Sequence, residues 1–286
     1  MASTREIKRR IRGINNIRQI TKAMELVSTA KLRRARSNLE ATRPYYETVL
    51  DDIQELLPIV NDGHPLLAKR EIKTVLNIVL TSDRGLAGGY NANIQKLTHK
   101  TMEEDGVETK LLIVGSKARD HFQRRNYNIH KAYVGISEDP TYQDAVELSD
   151  VAMELYRTGE VDAINLIYTR FESTISYEPK VIRLLPSKDL EKAEGEENKA
   201  KTLVEFEPSA EEVLDYLIPK YIESSIYGAL IEAAASEQGS RRVSMEAATD
   251  NANDMIDTLE TNYNRARQAA ITAEISEIVG AADALS

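Results

Sequence analysis

Apolar residues recur at Ile7, Ile11, Ile14, Ile17, Ile20, Met24, Val27 and Ala30, in the steps of three and four that mark one helix face. Ahead of them Ser3-Thr4-Arg5-Glu6 sets a hydroxyl and a carboxylate at capping-box spacing. The helical pattern persists to about Leu57, with Pro44 expected to break or kink it. At ~1.5 Å per residue this element would run roughly 80 Å. The turn cluster NDGHP at 61–65 ends it, and the pattern changes.

Strands are predicted at 72–81, 111–114, 129–134, 163–169 and 180–186. Helical stretches at 91–104, 116–125 and 141–157 separate the first four, and the last of these lines up Tyr142, Val146, Ser149, Met153 and Tyr156. Alternation of this kind specifies a mostly parallel sheet. The short link FESTISYEP leaves too little chain for a parallel crossover, so the fifth strand is expected antiparallel to the fourth. A charged stretch, 187–201, reads as an exposed loop.

Helix resumes behind a second capping box, Ser209 to Glu212, with a kink expected at Pro219. The remainder to Leu285 would span roughly 100 Å as one helix. Its seam is predicted along Met245, Ala248, Ala252, Met255, Leu259, Asn262, Ala266, Ala269 and Ala273, mostly small residues that demand a close partner helix. Ile271, Ile275, Ile278, Ala282 and Leu285 form another face, so the tip is apolar on more than one side. The expected architecture is an α/β fold with long helices. Residues 1–60 form an N-terminal coiled-coil helix and 70–187 a central Rossmann-like domain. Residues 188–208 form an exposed loop and foot segment, and 209–286 a C-terminal coiled-coil helix. The two terminal helices are expected to pair antiparallel, with the domain to one side.

Charge sharpens this picture. Residues 1–43 hold twelve Lys and Arg against three Glu, a net +9, which leaves −18 on the rest of a chain whose total is −9. A cationic arm on an acidic body suits nucleic acid, anionic lipid or an acidic protein surface. The basic, amphipathic start imitates a transit segment in composition, but its periodicity continues past any plausible cleavage point. No apolar run has the length of a membrane span. The absence of Cys excludes disulfides and thiolate chemistry, and His64, His99, His121 and His130 show no helical i, i+4 pairing.

TSDRGLAGGYN, residues 81–91, sits between a strand and a helix, where a phosphate cradle would lie. Gly85, Gly88 and Gly89 have neither dinucleotide nor P-loop spacing, no Lys follows them, and the second strand ends in GSKA without a ribose-binding acid. They are expected instead to permit a tight strand-to-helix turn, with Asp83 and Arg84 pairing with each other or with a partner chain. Hydrolase and metalloprotease motifs are absent, and the paired acids Asp51/Asp52 and Glu103/Glu104/Asp105 read as solvated helix faces.

Four blocks, NIRQITKAMELVSTAKLRRA (16–35), TSDRGLAGGYN (81–91), SEQGSRRVSMEAATDNAND (236–254) and NRARQAAITAEISEIVGAADAL (264–285), closely resemble the gamma subunit of bacterial F-type ATP synthases in order and spacing. The resemblance implies a central rotor stalk that couples ion-driven rotation of the c-ring to conformational change in catalytic beta subunits. It implies no catalytic residue, cofactor or metal of its own, and one copy per complex. The implied partners are the alpha and beta hexamer, the epsilon subunit and the c-ring, at the cytoplasmic face of the membrane.

Lys22, Met24, Arg33, Arg34, Arg36, Arg241, Arg267, Gln268, Thr272 and Glu274 match the family's beta-contacting or helix-pairing positions, and Phe206 and Glu207 lie near its foot. Coiled-coil core is the competing role for Met24, and surface i, i+4 pairing for the C-terminal group. Glu277 is followed by Gly280, one residue short of the family's usual glycine, and the cysteine-bearing insert of chloroplast relatives is missing. Two other functions stay open on the residues alone: a nucleotide-dependent α/β enzyme with helical arms, and a nucleic-acid protein using the basic arm.

Overall fold

The computed structural model describes residues 4–56, 71–173, 176–186 and 209–283. The turn at 61–65, the segment 188–208 with Phe206 and Glu207, and residues Ser3 and Leu285 lie outside them. The chain divides into two compact units, residues 1–29 with 241–286, and residues 30–240. Two long helices contribute to both: α1, Thr4–Leu56, and α5, Ala210–Asp283.

The larger unit contains a five-stranded sheet: β1 Thr74–Leu80, β2 Glu108–Val114, β3 Ile129–Tyr133, β4 Ala163–Phe171 and β5 Tyr177–Leu185. Its order is β3-β2-β1-β4-β5. The first four strands are parallel, and β5 runs antiparallel to β4, as the short link requires. Three helices connect the parallel strands: α2 Tyr90–Asp105, α3 Ser116–Gln123 and α4 Tyr142–Arg157.

Alternation along the strands divides the core in two. Leu76, Ile78, Leu80, Leu112, Val114, Ile164 and Leu166 face one cluster with α4, Val49 and Ile53 of α1, and Leu214 to Ala233 of α5. Val79, Leu111, Ile113 and Ile167 face the other, with Ile94 of α2 and Phe122 of α3. On α4 the buried face runs through Ala145, Leu148, Ser149, Ala152, Met153 and Tyr156, so Tyr142 lies at its margin rather than within it.

Neither proline ends its helix: α1 continues through Pro44 and α5 through Pro219. Each costs one backbone hydrogen bond, but burial follows directly behind it. Val49 and Ile53 are buried beyond Pro44, and Ile218, Tyr221 and Ile222 surround Pro219.

The smaller unit is an antiparallel helix pair. The hydroxyls of Thr21 and Thr249 lie 2.8 Å apart, and Arg18 donates to the Asn253 side chain at 3.3 Å, so numbers rise on one helix as they fall on the other. The packed face of α1 runs through Ile7, Thr21 and Ser28, whereas Ile17, Ile20 and Val27 of the predicted face are 55%, 60% and 56% exposed. On α5 the buried set is Met245, Thr249, Ala252 and Ile256; Met255 is 56% exposed, and Asn262, Ala269 and Ala273 are also exposed. The seam therefore keeps Met245 and Ala252 of the predicted one but turns to Thr249 and Ile256 in place of Met255. Threonine hydroxyls satisfied by each other, or by carbonyls one turn back, enter a helix interface at little cost. Ile256→Ala should then destabilise the pair by about 2 kcal/mol and Met255→Ala by less than about 0.5 kcal/mol. Thermal unfolding of the full chain, followed by helical circular dichroism, distinguishes the two registers.

Candidate functional site

The glycine turn after β1 is organised by Asp83. One carboxylate oxygen accepts from the backbone N–H of Ser116, at the start of α3, at 2.9 Å. The other accepts from the Gly135 N–H at 2.8 Å and the Ser137 hydroxyl at 2.9 Å. Ser116 returns its hydroxyl to the Asp83 carbonyl at 2.7 Å. The anion-attracting N-terminus of α3 thus receives a carboxylate from the chain itself. Asp83 does not pair with Arg84, which lies 3.5 Å from Glu138.

The expected tight turn rests on Gly88 and Gly89, and a Cβ on Gly89 would fall 3.3 Å from the Asn93 side chain. Only Gly88 of the three has positive φ, at 52°, and the non-glycine Leu86 takes 63°. A Cβ on Gly85 would find its nearest atom at 3.9 Å. The close approach occurs instead at Gly115, between β2 and α3, where φ is 93° and a Cβ would fall 2.3 Å from the Thr81 carbonyl oxygen.

The turn is a seat for α5. Ser240 donates to the Ala87 carbonyl at 2.7 Å, and Ser236 donates to the Thr169 carbonyl at the end of β4 at 3.1 Å. Between them Gly239 has the Tyr177 ring so close that a Cβ would approach it to 2.9 Å. Ser236, Gly239 and Ser240 share a helix face by their i, i+3, i+4 spacing. SEQGS and the glycine turn are thereby two halves of one contact. Loop 134–141 receives α1 similarly: Lys31 meets Glu138 at 2.6 Å and Arg34 meets Asp139 at 3.3 Å.

The candidate partner residues separate by environment. Arg34 is held by Asp139, and Arg36 by Glu40 at 2.9 Å. Arg33 is exposed, and no described residue forms an ion pair with it. In the helix-pair unit, Lys22 is exposed and bonded to Glu25 at 2.9 Å. That bond and charge hold its ammonium above the ordinary lysine pKa, with smaller contributions from Glu246 and Asp250. Met24 is half-buried and Arg241 buried, while Arg267, Gln268, Thr272 and Glu274 are exposed. Thr272 returns its hydroxyl to the Gln268 carbonyl at 3.0 Å.

Of two further features the sequence pattern foresees the first only at the C-terminal tip, and the second not at all. Leu26 at 61% exposure joins Ile17, Ile20 and Val27, while Ile271, Ile275, Ile278 and Val279 are 48–64% exposed, so the pair displays apolar side chains outward. In the larger unit His99 of α2 and His121 of α3 bring their Nε2 atoms to 2.9 Å. They stand 22 residues apart in sequence, and only the packing of α2 on α3 joins them.

A sheet domain whose turn seats a helix, together with an antiparallel pair of chain ends, makes up the described structure. A sequence model of the ATP synthase family matches residues 3–285. The chain belongs to this family, among its gamma chains. It is 49% identical over 283 residues to the ATP synthase gamma chain of Alkaliphilus metalliredigens, covering 98% of each. It is 45% identical to the sodium ion specific ATP synthase gamma chain of Acetobacterium woodii, covering 99% of each. A chain in the central stalk and c-ring structure of the Tetrahymena thermophila mitochondrial ATP synthase superposes with a TM-score of 0.62 at 28% identity, covering 80% of this chain and 99% of that one. Among the described residues no helix is long and apolar enough to cross a membrane.

Proposed function

We propose that the chain is the turning central stalk of an F-type ATP synthase, bearing on a ring of alternating alpha and beta subunits and standing on the c-ring with an epsilon subunit. The observation that carries this reading is the inversion in the helix pair. Thr21, Ser28 and Thr249 are buried while Ile17, Ile20, Leu26 and Val27 are more than half exposed. Exposed isoleucines rimmed by charge match an enclosing protein surface. Membership of the gamma chains supplies the identity of that enclosure.

Catalysis resides in the beta subunits, and the stalk acts by contact. A single chain has no threefold symmetry, so it cannot touch three equivalent beta subunits alike. Each orientation favours a different conformation in each of them by the difference in contact free energy. Rotation driven from the membrane makes that difference cyclic, and ATP hydrolysis drives it in reverse.

Lys22, Arg33 and Arg36 present the basic face to acidic segments of beta, with Met24 and Arg34 beside them. Arg267, Gln268, Thr272 and Glu274 serve the same partner near the C-terminal end, with Arg241 anchoring from within. Phe206 and Glu207 belong to the foot. The assembly sits peripherally on the cytoplasmic face of a bacterial cell membrane. Mixing the full chain with cognate alpha and beta subunits should yield a stable complex, one copy of this chain per hexamer, with ATPase activity above that of alpha and beta alone. Replacing Ile17, Ile20, Leu26 and Val27 together by serine should leave the helix pair folded and lower that stimulation at least about tenfold, since each buried side chain contributes about 1.5–3 kcal/mol. Absence of a complex with the native chain would refute the assignment.

A further inference from the structure

The facing histidines obey a strict donor and acceptor logic. Arg125 Nη1 lies 3.2 Å from His121 Nδ1. A guanidinium only donates, so this nitrogen accepts and His121 carries its proton on Nε2. That proton points at His99 Nε2, 2.9 Å away, which must therefore accept. His99 then carries its own proton on Nδ1 and donates it to the Tyr127 hydroxyl oxygen at 3.1 Å. The donations along Arg125, His121, His99 and Tyr127 thus run in one direction.

Adding a proton at either ring breaks the chain. On His121 it would place an N–H against the Arg125 guanidinium. On His99 it would set two Nε2–H groups face to face. We propose that these four residues form a directional hydrogen-bond relay that latches α3 to α2 only while both imidazoles are neutral, an acid-released lock beside the β3 edge of the sheet.

The surroundings favour the neutral pair. Phe122, fully buried, lies 5.2 Å from the His99 ring and 5.0 Å from the His121 ring, and meets Tyr127 edge-on at 5.4 Å. Arg125 and Arg124 bear on His121, and Arg125 on His99; Glu103 of α2 is the one acid that opposes them at His99. Burial first, then Arg125, lowers both rings from the ordinary value of 6.5. A depressed histidine is stabilising in its neutral form, so the contribution is present above pH 6.5 and is lost as pH falls below it. Metal binding is a poorer account: among the described residues no third His, Cys, Asp or Glu completes a ligand set, and Arg125 already occupies His121 Nδ1.

Histidine-selective nitrogen NMR of the full chain at pH 7.5 should find the proton on Nε2 of His121 and on Nδ1 of His99. Hydrogen exchange, corrected for intrinsic rate, should quicken about tenfold across 95–105 and 116–127 between pH 7.5 and 5.5, with β1 and β4 unchanged. His121→Gln keeps the relay, because its amide oxygen accepts from Arg125 and its amide nitrogen donates to His99. This variant should retain the pH 7.5 protection and lose at least half of the acid response. The opposite tautomers, or an acid response in the Gln variant equal to the native one, would overturn the proposal. The result is independent of whether the chain assembles with alpha and beta.

Discussion

Gly115→Ala should cost the sheet domain about 4 kcal/mol or more, enough to remove much of its stability. Two penalties coincide. The backbone stands at φ 93°, and the new methyl would fall 2.3 Å from the Thr81 carbonyl oxygen and 2.7 Å from its carbon. Those atoms belong to backbone and cannot step aside as a side chain would. Thr81 N–H donates to the Val114 carbonyl at 2.9 Å, and Gly115 N–H donates to the Tyr133 carbonyl at 2.8 Å. Making room therefore separates β1, β2 and β3 at one end. Gly106→Ala supplies the comparison, since its φ is 63° but nothing lies within 4 Å. It should cost only about 1 kcal/mol. Urea unfolding followed by tyrosine fluorescence measures both; equal midpoints for the two variants would show that the close approach is not limiting.

Asp83→Ala should cost about 3 kcal/mol, because it leaves the Ser116 and Gly135 N–H groups and the Ser137 hydroxyl without their acceptor. Arg84→Ala next to it should stay within about 0.5 kcal/mol, since the Arg84 side chain is 74% exposed and stands 3.5 Å from Glu138. Hydrogen exchange would locate the loss at residues 115–117 and 134–138. A destabilisation of Arg84→Ala as large as that of Asp83→Ala would mean that charge near this turn, rather than the carboxylate's bonds, holds the loops.

The sheet is legible in the sequence because its signals are local. Largely apolar runs, each interrupted by one Asn, mark β1 and β4, and the short link FESTISYEP leaves only an antiparallel return for β5. The helix pair is legible as two helices but not in its facing. Met255 and Ile256 are neighbours, and steps of three and four accommodate either one. On α1 hydrophobicity alone directs the face of Ile17, Ile20 and Val27 inward. The pair buries Thr21, Ser28 and Thr249 instead, and whether such hydroxyls find acceptors depends on three-dimensional approach. The prolines do not end their helices, and the compensating burial around them is not visible in sequence. Gly115 draws less notice than Gly85, Gly88 and Gly89, since a tight approach between strand ends leaves no mark on spacing. The relay of His99 and His121 joins separate helices and carries no sequence period.

Chain order gives the shared core of α1 and α5 a further meaning. Val49 and Ile53 lie in one cluster with Leu214, Ile218 and Tyr221, so the first helix to leave the ribosome waits about 160 residues for its covering. The sheet can close in the interval, because β1 to β5 contact one another without either terminus. Docking of α5 onto the glycine turn then becomes the last step of maturation, and an interrupted synthesis leaves apolar surface from the start of the chain open to aggregation.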